Sequence, residues 1–193
     1  MKYIEKVKYN SPVVLSFTFL SLLVLILNQI TFGKSTEWLF CVYKGSLLDP
    51  LFYVRLLTHI LGHTNWEHYI SNFMIILLIG PMLEEKYGSR CLLSMILLTA
   101  FVTGVVNVIF FNTALLGASG IVFMMILLSS FASHKEGGIP LTLILVTVLY
   151  IGQEVVQGLM SRDNISQISH IIGGICGCTM GFFMNKGPSG YRL

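Results

Sequence analysis

The chain has 193 residues, of which 54% are hydrophobic and 11% are charged, and its mean hydropathy is +0.78. So few charged side chains cannot cover a soluble globule of this size, which predicts an integral membrane protein. The formal net charge of +3 is small, so we infer no nucleic-acid partner. The four cysteines, Cys41, Cys91, Cys176 and Cys178, match neither a disulfide framework nor a metal site, and no cofactor is expected.

The first predicted membrane span runs from Val13 to Phe32. Its length of about 20 residues suits a helix that crosses the bilayer, and no small-residue cleavage site follows it, so we expect it to stay in the mature protein. The connection from Gly33 to Glu67, the first loop, mixes apolar and charged side chains, which is typical of a segment that lies in the membrane interface.

Five further apolar runs follow, each of about the 17 to 25 residues that cross ~30 Å of hydrocarbon. They predict helices over His68 to Leu83, Cys91 to Phe111, Ala114 to Ser133, Leu141 to Met160 and Ile165 to Met184. The fold class expected is therefore an all-α, six-helix membrane bundle that forms a single domain over residues 1–193.

Six spans place both termini on one side of the membrane. Eight of the 12 basic residues fall on that side: Lys2, Lys6, Lys8, Lys86, Arg90, Lys135, Lys186 and Arg192. The positive-inside rule then makes the termini cytoplasmic, and we expect a multi-pass protein of the bacterial plasma membrane.

Polar residues converge at the outer ends of three of these spans. Because even-numbered spans begin outside, Ser119 and His170, each five residues into its span, are predicted to share a depth of about 7 Å below the outer interface. His68 and Asn72 open the second span four residues apart and therefore on one helical face. Three polar groups at one level predict a site.

Ser119 stands in the sequence Leu116-Gly117-Ala118-Ser119-Gly120 and is the candidate nucleophile. A hydroxyl is a weak nucleophile that needs a base, and His170, an ionisable residue inside a membrane span, is the candidate base. Close approach of their helices is favoured by small residues, here Gly117, Gly120, Gly173, Gly177 and Gly181. Alternatively, these glycines serve only helix packing, and His170 bonds to a backbone carbonyl.

An acyl transfer also needs donors for the oxyanion that forms when the serine attacks. The candidates are the Asn72 amide, the His68 ring and the backbone N–H of Ser119. Phe123, one turn after Ser119 on the same face, is placed to support the imidazole of His170 as an aromatic floor. In isolation, Asn72 also fits an interhelical hydrogen bond, and Phe123 fits ordinary packing.

Other polar residues predict how water reaches such a site. His59, His63, Asn65 and Glu67, just ahead of the second span, are predicted to line a wet entrance, unless they are merely solvated. The fifth span carries Gln153, Glu154 and Gln157 and is predicted to form a gate or a polar wall; alternatively, Glu154 is hydrogen-bonded within the bundle. A metal site is disfavoured because His63 and His68 lack the His-Glu-x-x-His spacing.

From about Val54 to Met184 these motifs resemble the rhomboid family of intramembrane serine proteases. The family's Gly-x-Ser-Gly is similar to Gly117-Ala118-Ser119-Gly120, and its sixth-helix histidine followed by glycines is similar to His170, Gly173 and Gly177. Its second-helix pattern is similar to His68 and Asn72, preceded by His59 and His63 and closed by Glu84 and Gly88.

The resemblance implies a serine endopeptidase with a Ser119 nucleophile, a His170 base and an oxyanion hole from His68, Asn72 and the Ser119 amide. It implies that single-span membrane proteins are the substrates, cut within the lipid bilayer near the outer end of their helix. This chain departs from the family where Val54 precedes Arg55, which leaves Arg55 to anchor the first loop alone, and where Phe123 replaces a tyrosine.

Two other functions stay open at this stage. A catalytically inactive relative that binds and escorts membrane helices usually lacks the serine or the histidine, whereas this chain has both. A channel or transporter predicts polar residues through the whole bilayer depth, whereas the polar cluster here stops in the outer half.

Overall fold

The computed structural model describes residues 9–132 and 165–185, together with positions 141, 144, 145, 148 and 149. These residues form α-helices and no strand beyond one isolated β-bridge, which confirms the all-α fold class. The helices are α1 (Pro12–Ile30), α2 (Lys34–Leu39), α3 (Pro50–Thr58), α4 (Trp66–Tyr87), α5 (Ser89–Phe110), α6 (Ser119–Ala132) and α7 (Ile165–Asn185), with a 3-10 turn over His59–Leu61.

Three of the described helices are long and apolar enough to cross a membrane, namely α1, α5 and the Gln167–Met184 part of α7. Helix α4 has 22 residues, enough for about 33 Å, but it carries Glu67 at one end and Glu84, Glu85 and Lys86 at the other. The fifth predicted span, with Gln153, Glu154 and Gln157, lies outside the described residues except at five apolar positions that are exposed: Leu141, Ile144, Leu145, Val148 and Leu149.

The predicted start of the fourth span at Ala114 is wrong. Helix α6 begins at Ser119, so Ser119 is the first residue of the helix instead of lying five residues into it. Leu115 pairs with Val42 through two backbone hydrogen bonds of 2.8 and 2.9 Å. Gly117 has φ = 116°, a value outside the right-handed helical region, so the helix cannot begin before it. Apolar composition alone does not distinguish this irregular segment from the helix that follows it.

Helices α6 and α7 form the closest helix pair in the described bundle. Glycines of α7 lie directly against α6, as the four-residue spacing predicts: a Cβ at Gly173 would overlap the Gly120 carbonyl, and one at Gly177 would overlap the Met124 carbonyl. The core around this pair is apolar and includes the fully buried side chains of Phe73, Ile76, Leu83, Leu92, Ile121, Met124 and Met125. The backbones of the two helices are therefore in contact, which holds the start of α6 against α7.

Glu84, near the end of α4, caps the first helix. Its side chain is buried, and its two oxygens accept hydrogen bonds from the backbone N–H groups of Val13 and Val14 at 2.9 and 3.0 Å. The Ser89 hydroxyl donates a third, at 2.7 Å. The N-cap residue of α1, Ser11, makes no side-chain cap of its own. A carboxylate from α4 thus supplies the acceptors and the negative charge that the start of α1 lacks.

Replacing Glu84 with Gln is expected to lower the free energy of unfolding by about 1 to 3 kcal/mol, because an amide NH2 group would then face backbone N–H donors. Unfolding in detergent by heat or denaturant measures the effect. Glu85→Gln, the neighbouring and exposed carboxylate, is the matched control and should unfold like the unmodified chain. Equal stability of the two variants would contradict this capping role.

The loop between α2 and α3 is held by Arg55, which is only 3% exposed. Its guanidinium pairs with Asp49 at 2.6 Å, donates to the Trp38 carbonyl at 3.3 Å and lies 4.6 Å from the centroid of the Tyr43 ring. The loop also carries exposed apolar side chains, among them Leu47 and Leu48. Arg55 therefore joins three separated points of a segment that has little regular structure of its own.

Candidate active site

Ser119 begins α6 at the end of the bundle where the first loop meets α4 and α7. The two residues before it are held by the first loop, since the N–H of Gly117 donates to the His59 carbonyl at 3.0 Å and the N–H of Ala118 donates to Nε2 of His63 at 3.4 Å. Ser119 itself is half-buried. The serine thus sits at the N-terminus of a helix, where backbone N–H groups favour a developing negative charge.

His170 lies on α7 opposite this point. Its ring stacks on Phe123 with the centroids 4.4 Å apart and the planes 7° from parallel. A Cβ at Gly120, one turn before Phe123, would lie 3.4 Å from the Ser169 carbonyl oxygen. The residues that follow Ser119 along α6 therefore contact His170 and its neighbours, so the structure brings the predicted nucleophile and base to the same helix contact.

His68 approaches the serine segment from α4. A Cβ at Gly117 would lie 2.8 Å from both Cε1 and Nε2 of the His68 ring, so glycine is needed there for its space as well as for its positive φ. The other ring nitrogen, Nδ1, lies 3.3 Å from the Thr64 hydroxyl. The imidazole is half-buried, with one edge against the loop that precedes Ser119.

Asn72 lies one turn after His68, on the same helix. Its Nδ2 donates to the His68 carbonyl at 3.1 Å, and the residue is 6% exposed. The amide carries two hydrogens, and this bond uses one of them. The start of α4 is fixed by Asn65, whose side-chain oxygen accepts from the N–H of His68 at 2.8 Å. His68 and Asn72 are therefore placed by a capped first turn.

The prediction that His59 and His63 line a wet entrance is wrong. His59 is 1% exposed and His63 is 0% exposed, whereas Asn65 and Glu67 are exposed. His59 Nδ1 donates to the Arg55 carbonyl at 3.2 Å, and its Nε2 lies 3.4 Å from the Thr103 hydroxyl. Both rings are buried because they connect the first loop to α5 and to the segment before Ser119.

The tautomer of His63 follows from its two partners. Its Nδ1 donates to the Leu61 carbonyl at 3.1 Å, which leaves Nε2 as the acceptor for the N–H of Ala118. Burial, and then the nearby His68, lower the pKa of His63 to about 4, against the opposing effect of the Leu61 carbonyl. A neutral His63 is required here because a proton on Nε2 would remove the acceptor for Ala118.

The stability of the protein is expected to fall as the pH drops from about 6.5 towards 4. In this range the unfolded chain binds a proton at His63 that the folded chain does not, so the free energy of unfolding decreases as the pH falls. Burial lowers the pKa of His59 to about 4 as well, so both histidines contribute with the same sign. His63→Gln should reduce this slope, as measured by unfolding in detergent at pH 7.5 and pH 5. An unchanged slope would contradict the assignment.

A short β-bridge ties the first loop to the residues before Ser119. The two backbone bonds between Val42 and Leu115 are supported by Asn107, whose amide donates to the Val42 and Thr113 carbonyls at 3.5 and 2.9 Å. Sequence reasoning missed this bridge, as it missed the contacts of Thr64 and Thr103 with the histidines. The buried, evenly spaced Thr99, Thr103 and Asn107 on α5 were the available signal, since polar residues inside a membrane helix usually have partners.

Among residues 9–132 and 165–185, no three His, Cys, Asp or Glu side chains are grouped so that they could hold a metal ion. The arrangement places a serine at a helix start, with the half-buried His68 ring against the segment just before it and the half-buried His170 ring stacked on Phe123 one turn after it. Such a set suits nucleophile, base and oxyanion donors. The fold is that of a polytopic helical membrane protein, in which the start of α6 and the residues before it meet the first loop, α4 and α7 at one end of the bundle.

The comparison with known proteins agrees with this class. Residues 51–187 match the Rhomboid domain, and the chain therefore belongs to the rhomboid family. A relative from Arabidopsis thaliana, Rhomboid-like protein 11, chloroplastic, is 25% identical over 159 residues that cover 72% of this chain and 55% of the relative. The chain thus spans about half the length of that relative. The plant source gives no support to the predicted bacterial membrane, which stays a prediction.

Proposed function

We propose that this chain is an intramembrane serine protease in which Ser119 is the nucleophile and His170 the general base. The stacking of Phe123 on His170 at 4.4 Å, one turn from Ser119, is the observation that carries this proposal. It orients an imidazole at the same helix contact that holds the serine. Membership of the rhomboid family supports the same assignment.

The proposed chemistry gives each residue of the site a role. His170 takes the proton of Ser119 as the hydroxyl attacks the scissile carbonyl, and it then gives that proton to the leaving amine. The oxyanion accepts hydrogen bonds from the His68 ring, the second Asn72 hydrogen and the N–H of Ser119. Water, activated by His170, then hydrolyses the acyl-enzyme and releases the second product.

The proposed substrates are single-span membrane proteins, which reach the site within the lipid bilayer. We further propose that the termini of the chain are cytoplasmic and that the site opens to the opposite side, where water is available for hydrolysis. Arg55 and the glycines at positions 117, 120, 173 and 177 support this site by packing and do not react.

Labelling of the purified protein by a fluorophosphonate tests the proposal, because this reagent reacts with an activated serine. The unmodified chain is expected to be labelled and to cleave single-span proteins in vesicles, and Ser119→Ala is expected to do neither. Ser94→Ala, which changes an exposed serine on α5, is the control and should be labelled. A folded chain that is not labelled and cleaves no substrate would favour the inactive, helix-binding relative instead.

A further inference from the structure

The two ring nitrogens of His68 face different neighbours. Nε2, with Cε1, faces Gly117, two residues before Ser119, since a Cβ at Gly117 would lie 2.8 Å from each of these ring atoms. Nδ1 lies 3.3 Å from the hydroxyl oxygen of Thr64, and this is the one hydrogen bond of the ring within the part of the chain that the structure describes. Which nitrogen of an imidazole carries the hydrogen is set by the bond that the other one makes.

Only one tautomer of a neutral His68 suits the proposed reaction. A neutral imidazole has one N–H donor and one acceptor nitrogen. The oxyanion is negatively charged, so Nε2 must carry the hydrogen and Nδ1 must be the acceptor. In the other tautomer, the lone pair of Nε2 would face the oxyanion and repel it. The Thr64 hydroxyl can donate, so it supplies the bond that the productive tautomer needs at Nδ1.

Thr64 and His68 are both held by the residues around them. Asn65, which follows Thr64, caps α4, because its side-chain oxygen accepts from the N–H of His68 at 2.8 Å. His63, which precedes Thr64, is fully buried, and both of its ring nitrogens are bonded. The Ser71 hydroxyl donates to the His68 carbonyl at 3.0 Å. The contact between the Thr64 hydroxyl and the imidazole therefore joins two anchored residues.

The neighbouring imidazole of His63 cannot select the tautomer of His68. The centroids of the two rings are 4.9 Å apart, with the planes at 64°. However, Nδ1 of His63 is bonded to the Leu61 carbonyl, and its Nε2 accepts from the N–H of Ala118. The two imidazoles are therefore in packing contact only, which leaves Thr64 as the group that acts on the His68 ring.

We propose that Thr64 is a positioning residue, whose hydroxyl donates to Nδ1 of His68 and so keeps the hydrogen on Nε2 for the oxyanion. The inference rests on the proposed protease function and adds a residue to it. Thr64 acts through His68 and takes no part in the chemistry itself. Its hydroxyl is needed when the oxyanion forms and not when the substrate binds, which predicts an effect on kcat and not on KM.

The kinetic test replaces the hydroxyl of Thr64 with a methyl group of the same shape. Thr64→Val is expected to lower kcat for a single-span substrate in vesicles by about tenfold, with KM and thermal unfolding in detergent unchanged. Thr64→Ser restores the hydroxyl and should stay within about twofold of the unmodified chain. Ser71→Ala is the matched control, because that hydroxyl also bonds to His68, but at its carbonyl, and kcat should not change.

Nitrogen-15 NMR of the protein in detergent micelles reads the tautomer without any substrate. The signals of His68 are identified by their absence in His68→Gln. At pH 7.5, the unmodified chain is expected to carry the hydrogen on Nε2 of His68, and Thr64→Val is expected to show both tautomers. This measurement does not depend on whether the chain cleaves.

The proposal is overturned if His68 of the unmodified chain carries its hydrogen on Nδ1, or if Thr64→Val cleaves as fast as Thr64→Ser. It is also overturned if Thr64→Val changes only KM or the unfolding temperature, as expected of a purely structural residue. A chain that neither labels with fluorophosphonate nor cleaves would instead remove the protease function, and the role of Thr64 in the reaction with it, whichever tautomer the spectrum shows.

Discussion

Replacing His170 with Ala is expected to lower kcat/KM for a single-span substrate by at least about 10⁴-fold. Without the imidazole, the hydroxyl of Ser119 has no base, and the leaving amine has no acid. Because the two residues act as one unit, the double variant Ser119→Ala/His170→Ala should be no slower than either single variant. Rates in vesicles, followed by gel or mass spectrometry, give the three values.

Substitutions of Phe123, the ring stacked on His170, provide the control for this prediction. Phe123→Leu removes the ring stacked on His170 but leaves both reacting groups, so its loss should be far smaller, about tenfold. Phe123→Tyr keeps the stacking and should retain most of the activity. If the double variant is much slower than either single variant, Ser119 and His170 act independently and do not form a dyad.

Gly173→Ala is expected to destabilise the protein by about 3 kcal/mol and to abolish fluorophosphonate labelling. The added Cβ would overlap the Gly120 carbonyl oxygen, and its next nearest atoms are also Gly120 backbone, which cannot rotate away as a side chain can. Helix α7 must therefore move off α6 and carry His170 away from Phe123. Thermal unfolding in detergent and labelling of Ser119 measure the two effects.

Gly174→Ala is the neighbouring control on the same helix. Its Cβ would lie 2.9 Å from Leu127 Cδ1, the end of a flexible side chain that can change rotamer. We expect a loss of about 1 kcal/mol or less, with labelling retained. Equal behaviour of the two variants would show that contact between the helix backbones does not hold the site together.

The helices of the bundle could be predicted from apolar runs because lipid requires long uninterrupted segments. The helix break at Gly88, with φ = 82°, falls in the gap between the second and third predicted spans. The start of α6 could not be predicted in this way, because residues 114–118 are as apolar as the helix after them. What keeps them out of the helix is a pairing with Val42, far away in sequence.

Some contacts around the site could likewise be predicted from local patterns, and others could not. The stacking of Phe123 and His170 follows from helical spacing on α6 and from the glycine stripe on α7, both of which are local patterns. The burial of His59 and His63 depends on how the first loop folds over α5. A loop with irregular structure gives no periodic signal, so its histidines resembled surface residues in sequence alone.

The bridge between Val42 and Leu115 has a consequence for how far this chain can be shortened. The strand-like residues ahead of Ser119 have no helix to satisfy their amides and carbonyls, and lipid offers no replacement partners. They take those partners from Val42, His59 and His63, more than fifty residues earlier. Trimming that loop would leave this main chain without its hydrogen-bond partners, so a minimal version of this fold must retain it even where no loop side chain reacts.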